Sequence, residues 1–200
     1  MAPIEHEQKQ IRAKIKGFLK ESNSYVTISV DSFSLEEDIK NKTSTISGNL
    51  LINNKKIIIR GAGVGIVDAF LRAVIEKLSD EYSSLHSIKL SEFYASAKIK
   101  KKTRPGSDAI VNVNLVLENI KRGKIHFSHS AQSLNTATIL VVTEAIEYFI
   151  NSEIAFLKLK SCIEDAKLRD RVDIVNKYMF LMVEVVKNMN YDKILTKKGK

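Results

Sequence analysis

Gly61-Ala62-Gly63-Val64-Gly65-Ile66-Val67-Asp68-Ala69-Phe70 is the point where this chain changes its period. Upstream, apolar residues alternate with a period of two. Val26, Ile28 and Val30 point one way and Thr27 and Ser29 the other, which predicts a strand over 25–33. Residues 35–42 read as a charged connection. Ile46, Gly48, Leu50 and Ile52 then share one face of a strand over 45–52, Asn53-Asn54 makes a tight turn, and 55–60 is a third strand. Downstream of the glycines, Ile66, Phe70, Ala73, Val74 and Leu78 recur at helical spacing, so 66–78 reads as a helix. Three strands joined by short links make an antiparallel meander, closed by one amphipathic helix.

The same order recurs further on. Residues 87–98 read as a strand, with Leu90 inside the run and Phe93, Ala95 and Ala97 on one face. In 108–118, Ala109, Val111, Val113, Leu115 and Leu117 alternate against Asn112 and Asn114. Lys121, Arg122 and Gly123 turn the chain, and 124–128 is a third strand. The polar segment His129-Ser130-Ala131-Gln132 leads to Ser133, which caps a helix running to about Asn151. The repeat lies in the order of elements rather than in residue identity. The predicted class is α+β: two βββα units, 24–80 and 85–151, each burying one sheet face under a helix.

Helical extensions flank the pair. In 4–21, Ile11, Ile15, Phe18 and Leu19 form an apolar stripe that ends at Ser22-Asn23-Ser24, so 1–23 is an N-terminal helix. From Ser152 to Lys200 the chain reads as helical with a basic tail. Val172, Val175, Met179, Met182, Val186 and Met189 alternate spacings of three and four, which suits either a short coiled-coil seam or a helix packed on its own domain.

Composition narrows the setting. One cysteine, Cys162, among 200 residues excludes an internal disulfide and suits a reducing compartment. His6, His86, His126 and His129 are scattered, so no zinc spacing appears and no metal or cofactor is expected. No apolar run reaches the roughly 18 residues of a membrane span, and the N-terminus lacks the apolar core of a secretory signal. The expected location is cytoplasmic. The formal charge of +9 favours acidic partners. Its one dense cluster, Lys98, Lys100, Lys101, Lys102 and Arg104, precedes Pro105-Gly106 and reads as a solvated hairpin tip. Nucleic-acid binding rests on that charge alone, because there is no tryptophan and no RNP-like aromatic pair. No Ser-His-Asp set or carboxylate pair stands out, so the chain is not expected to be an enzyme.

Gly61, Gly63 and Gly65 precede a helix start, where glycine permits close approach and unpaired N–H groups favour a carboxylate or phosphate. The spacing G-x-G-x-G and the antiparallel context differ from the dinucleotide fingerprint, and no Gly-Lys-Ser/Thr follows. A tight turn without a ligand is the other reading of the loop.

The stretch from Gly61 to Phe70 resembles the G-x-G-N-G-P-V-D-A-hydrophobic signature of the regulatory domain of 2-isopropylmalate and citramalate synthases. Leu90-Ser91-Glu92-Phe93 resembles that family's L-x-D-Y, Ala97 falls at a small position, and Ser107-Asp108-Ala109 resembles its G-x-D-A. Ala137-Thr138 and Ala145 fall at its small helix positions. The resemblance covers about 24–151. It implies two βββα units, a homodimer, and feedback binding of leucine or isoleucine near the glycine loops. The implied ligand set is Gly61, Gly63, Val64, Gly65, Ile66, Phe93, Ala97, Asp108, Ala109, Val111, His129, Gln132 and Ser133. The family's metal-dependent TIM barrel needs about 250 residues, more than this chain holds, so the module would act in trans on a separate synthase subunit. Two departures matter. Val64 stands where the family has Asn and Ile66 where it has Pro, and 129–133 lacks the second loop's Asp. His129, Gln132 and Ser133 are the polar groups left for an amino-acid or 2-oxo-acid effector. The expected function is therefore a non-catalytic, ligand-sensing and dimerising regulatory domain. A dimerisation scaffold without a ligand and a basic nucleic-acid binder are the alternatives.

Overall fold

A computed structural model describes residues 3–98, 109–119 and 123–187. Helix α1 (Pro3–Glu21) buries Ile11, Ile15 and Leu19 and ends where Asn23 turns to positive φ. Strands β1 (Ile28–Asp38), β2 (Thr43–Ile52) and β3 (Lys55–Gly63) form an antiparallel sheet in that order, followed by α2 (Ile66–Leu78). A 3₁₀ turn (Ser83–Ser87) leads to β4 (Ile88–Lys98), β5 (Ile110–Asn119) and β6 (Gly123–Ala131), a second antiparallel sheet in the same order. Helix α3 (Leu134–Leu168) and helix α4 (Val172–Lys187) follow. The chain is thus α+β, built from two βββα units.

The register exposes a likeness between the units that residue identity hides. The β1–β2 ladder runs from Ile28↔Ile52 to Val30↔Leu50, skips Asp31, and resumes at Ser32↔Asn49. The β4–β5 ladder runs from Ile88↔Asn119 to Leu90↔Leu117, skips Ser91, and resumes at Glu92↔Val116. Both bulges fall after the third paired residue, and both place a phenylalanine, Phe33 or Phe93, two positions beyond the bulge. One extra residue in one strand bends it and increases the local twist, so both sheets curl at the same place.

Three strands run longer than their sequence patterns indicate. β1 continues through Leu35, Glu36, Glu37 and Asp38, which pair with residues 46 to 43 of β2. β3 carries the ladder into Gly61, Ala62 and Gly63, and β6 extends to Ala131. The hairpin between β2 and β3 turns on Asn53 and Asn54, both at positive φ.

Helix α3 is the axis of the molecule. It does not stop at Asn151 but runs unbroken for 35 residues, buried around most of its circumference. One side packs on β5 and β6 of its own unit, another on β1 of the first unit, and it also meets α1, α2 and α4. Its buried polar groups stitch neighbours to it. The Asn151 amide brackets Val26, accepting from its N–H at 2.9 Å and donating to its carbonyl at 2.8 Å. Glu147 accepts from the Ile28 N–H at 2.7 Å and from the Tyr25 hydroxyl at 2.6 Å. Glu153 accepts from the Ser83 and Ser84 N–H groups at 3.2 and 2.8 Å. α1 closes the outer edge of β6 in a similar way. The Gln8 amide accepts from the His126 N–H and donates to the Lys124 carbonyl, where a further strand would bond.

The heptad-like seam of the C-terminal helix divides. Val175, Met182 and Val186 lie at least partly buried, and the latter two pack against the core. Val172 and Met179 are exposed, and Met189 lies outside the described residues. The helix packed on its own domain is the reading that holds for the buried members. Among the described residues no helix is long and apolar enough to cross a membrane.

Candidate functional site

The glycine loop is built by close packing of α2 on β3. A Cβ at Gly61 would lie 2.7 Å from both the Ala69 carbonyl oxygen and the Ala73 methyl, and one at Gly63 would lie 2.6 Å from the Ala69 nitrogen and from Asp68 Oδ2. These two glycines let the helix settle on the strand. Gly65, at extended φ, is the N-cap of α2, and a Cβ there would meet nothing within 4 Å. Val64 beside it is 80% exposed.

The helix start already holds an anion. Asp68, in the first turn, accepts from the Val64 N–H at 3.2 Å and pairs with Arg72 at 2.8 Å. Its carboxylate supplies the negative charge that the helix dipole favours. A ligand carboxylate approaching the same amide would meet Asp68. In the second unit the N-cap, Gly65 in the first, is Ser133, whose Oγ accepts from the Thr136 N–H at 3.4 Å.

The residues of the predicted ligand set fall into two groups, one at the β3–α2 junction and one spread over the second sheet and its link to α3. Gly61, Gly63, Val64, Gly65 and Ile66 lie between β3 and α2. In the second sheet Ala97 pairs with Val111, and Phe93 and His129 pair with Leu115 and Val113 on the same face. Ala109 precedes β5, and Gln132 and Ser133 link β6 to α3. Asp108 and the basic residues 99–104 lie outside the described residues. The His129 ring nitrogen Nδ1 is 3.8 Å from Glu144 Oε2.

Three clefts, of about 90, 310 and 400 Å³, are lined by other side chains. The 310 Å³ cleft lies between α1 and α3. Arg12 forms one end, donating to Glu144 Oε1 at 2.8 Å and to the His126 carbonyl at 2.6 Å. Its guanidinium carbon is 4.1 Å from the centroid of Phe127 and 5.3 Å from that of Tyr148, and its Nε is buried without a hydrogen-bond partner. Burial pulls the Arg12 pKa below its ordinary value, and Glu144 pulls it back up. Sequence reading did not find this pair, whose members lie 132 residues apart. The available signal was a set of charged and amide side chains, Glu144, Glu147 and Asn151, at helical spacing in an otherwise apolar helix.

Among the described residues, exposed apolar side chains gather on α4, at Val172, Met179, Phe180 and Val183, and on β4. On β4, Leu90 is 39% and Phe93 37% exposed, and Ala95 and Ala97 are exposed beside them. The matching residues of β1, Val30, Phe33 and Leu35, are partly buried against the core, with α3 packed on that strand.

No known family model matches the chain, and no curated protein matches it in sequence. The class the fold defines is therefore a twin βββα domain with helical extensions. Among the described residues no cluster of three metal-ligating side chains occurs.

Proposed function

We propose that this chain is a non-catalytic regulatory module that works as a homodimer and senses a small ligand, with the open face of β4 as its dimer surface. The observation that carries the reading is the asymmetry between the two units. Equivalent strands bear equivalent apolar faces, yet α3 covers β1 while Leu90, Phe93, Ala95 and Ala97 of β4 stay open to solvent. Apolar area of this kind is removed from water by association. A second copy meets the requirement symmetrically, since one patch can contact itself across a two-fold axis. The resemblance to the 2-isopropylmalate synthase regulatory domain points the same way and adds an effector of amino-acid or 2-oxo-acid type, acting on a separate synthase.

Light scattering at micromolar concentration tests the dimer. The expected result is twice the chain mass for the wild type and the single chain mass for Phe93→Glu. A monomeric wild type overturns the reading. A dimerisation scaffold without a ligand is the second reading, favoured by Asp68, which fills the anion position at the start of α2 from within the chain.

A further inference from the structure

We infer that the cleft between α1 and α3 is a binding site for a small zwitterion with an apolar body. This inference rests on the ligand-sensing half of the proposed function and is independent of the dimer.

The cleft's volume of about 310 Å³ lies at the lower end of the range for small-molecule sites. Its two walls carry opposite charge. α1 contributes Arg12 and Lys16, one turn apart, and α3 contributes Glu144 and Glu147. The four charges sum to zero, so a simple anion or a simple cation gains from one wall and is repelled by the other. A molecule carrying both charges spans the field with its ammonium toward α3 and its carboxylate toward α1. Ala13, Ile15 and the ring of Tyr148 supply apolar lining.

The polar groups are not equally committed. Both oxygens of Glu147 are taken, by Ile28 and Tyr25, and Asn151 is engaged with Val26. Glu144 holds Arg12 through Oε1 only. Its Oε2 faces His129 at 3.8 Å, beyond hydrogen-bond reach, and its side chain is 42% exposed. That oxygen can accept from a ligand ammonium. On the opposite wall the Lys16 ammonium lies 5.6 Å from the centroid of the Tyr25 ring and is exposed. It can turn from the ring to a ligand carboxylate. The arrangement is held firmly, because Arg12, Tyr25, Glu147 and Asn151 are cross-bonded between α1, the start of β1, α3 and β6.

Calorimetry on the full chain tests the site with three matched probes: phenylalanine, its deaminated 2-oxo acid and its decarboxylated amine. The expected result is binding of phenylalanine and at least tenfold weaker binding of either truncated probe, the loss of one charge-assisted contact being worth about tenfold or more. Lys16→Gln should weaken phenylalanine by about tenfold while leaving the melting temperature of the free protein unchanged. Glu144→Gln should do the same, but it also loosens Arg12, so Lys16→Gln is the deciding variant. Phenylalanine binding that is indifferent to Lys16→Gln overturns the cleft and leaves ligand sensing standing at another place. Equal binding of all three probes overturns the zwitterion assignment. Silence towards all three overturns the site and removes this support from the sensing reading, while the dimer is judged by light scattering alone.

Discussion

The carboxylate of Asp68 accepts a hydrogen bond from the Val64 amide at 3.2 Å and holds Arg72 Nε at 2.8 Å with its other oxygen. Gly65 has no side chain to cap α2, and the acid inside the first turn instead ties the loop residue before the cap back to the helix. Asp68→Ala should cost about 1 kcal/mol, the usual net worth of one hydrogen bond. Arg72→Ala should cost well under that, because the pair is exposed on the arginine side. Urea unfolding of the two variants measures both.

Two glycines of the loop should behave oppositely. Gly63→Ala drives a methyl into the backbone of Ala69 and should destabilise by roughly 1–3 kcal/mol, as overpacking does. Gly65→Ala adds a methyl in open space at an extended φ and should change stability by about 0.5 kcal/mol or less. Equal sensitivity at both positions would show that α2 does not rest on β3 as described.

Asn151 is 1% exposed and brackets both main-chain groups of Val26. Asn151→Leu leaves a buried N–H and a buried carbonyl without partners. The expected cost is about 2–4 kcal/mol, from two unsatisfied groups, read as a fall in the midpoint of chemical unfolding. A neutral outcome would mean that the Val26 main chain is solvated in solution.

Tyr25 and Tyr82 have pKa values raised above the ordinary 10.0, chiefly by burial and then by hydrogen bonds to Glu147 and Glu81. A raised folded-state pKa gives stability that is present below the unfolded value and is lost as pH climbs beyond it. The protein should therefore lose stability above about pH 10, and Tyr25→Phe should flatten that decline. Absorbance at 295 nm should show these two tyrosines titrating above the ordinary tyrosine range.

The two-unit architecture was legible because the change from period two to period 3.6 occurs twice, each time beside a helix-starting Gly or Ser. The strand ends were not. Leu35-Glu36-Glu37-Asp38 reads as a loop from its charge, yet ladder hydrogen bonds come from the main chain and an edge strand tolerates charged side chains facing water. The length of α3 was obscured by Asn151-Ser152-Glu153, a polar trio that looks like a helix end. Asn151 and Ser152 bond backwards to main-chain oxygens of Glu147 and Tyr148 within the helix, and Glu153 reaches the 3₁₀ turn. The glycine loop was recognised as special, but its spacing cannot distinguish a backbone opened for a ligand from one opened for a helix. The Arg12–Glu144 pair joins the first helix to the last unit, a pairing that one sequence does not disclose.

The Gln8 amide, bonded to β6 as a strand would be, decides what kind of assembly the second sheet can enter. A sheet with two open edges can grow by adding copies head to tail without limit. With Lys124 and His126 of β6 already bonded by Gln8, that edge is blocked where a strand of another copy would add, so among the described residues edge-to-edge growth of this sheet is left to β4 alone, whatever its apolar face contacts. Gln8→Ala keeps the core face of α1 and frees those two main-chain groups, giving the sheet a second edge at which copies can add.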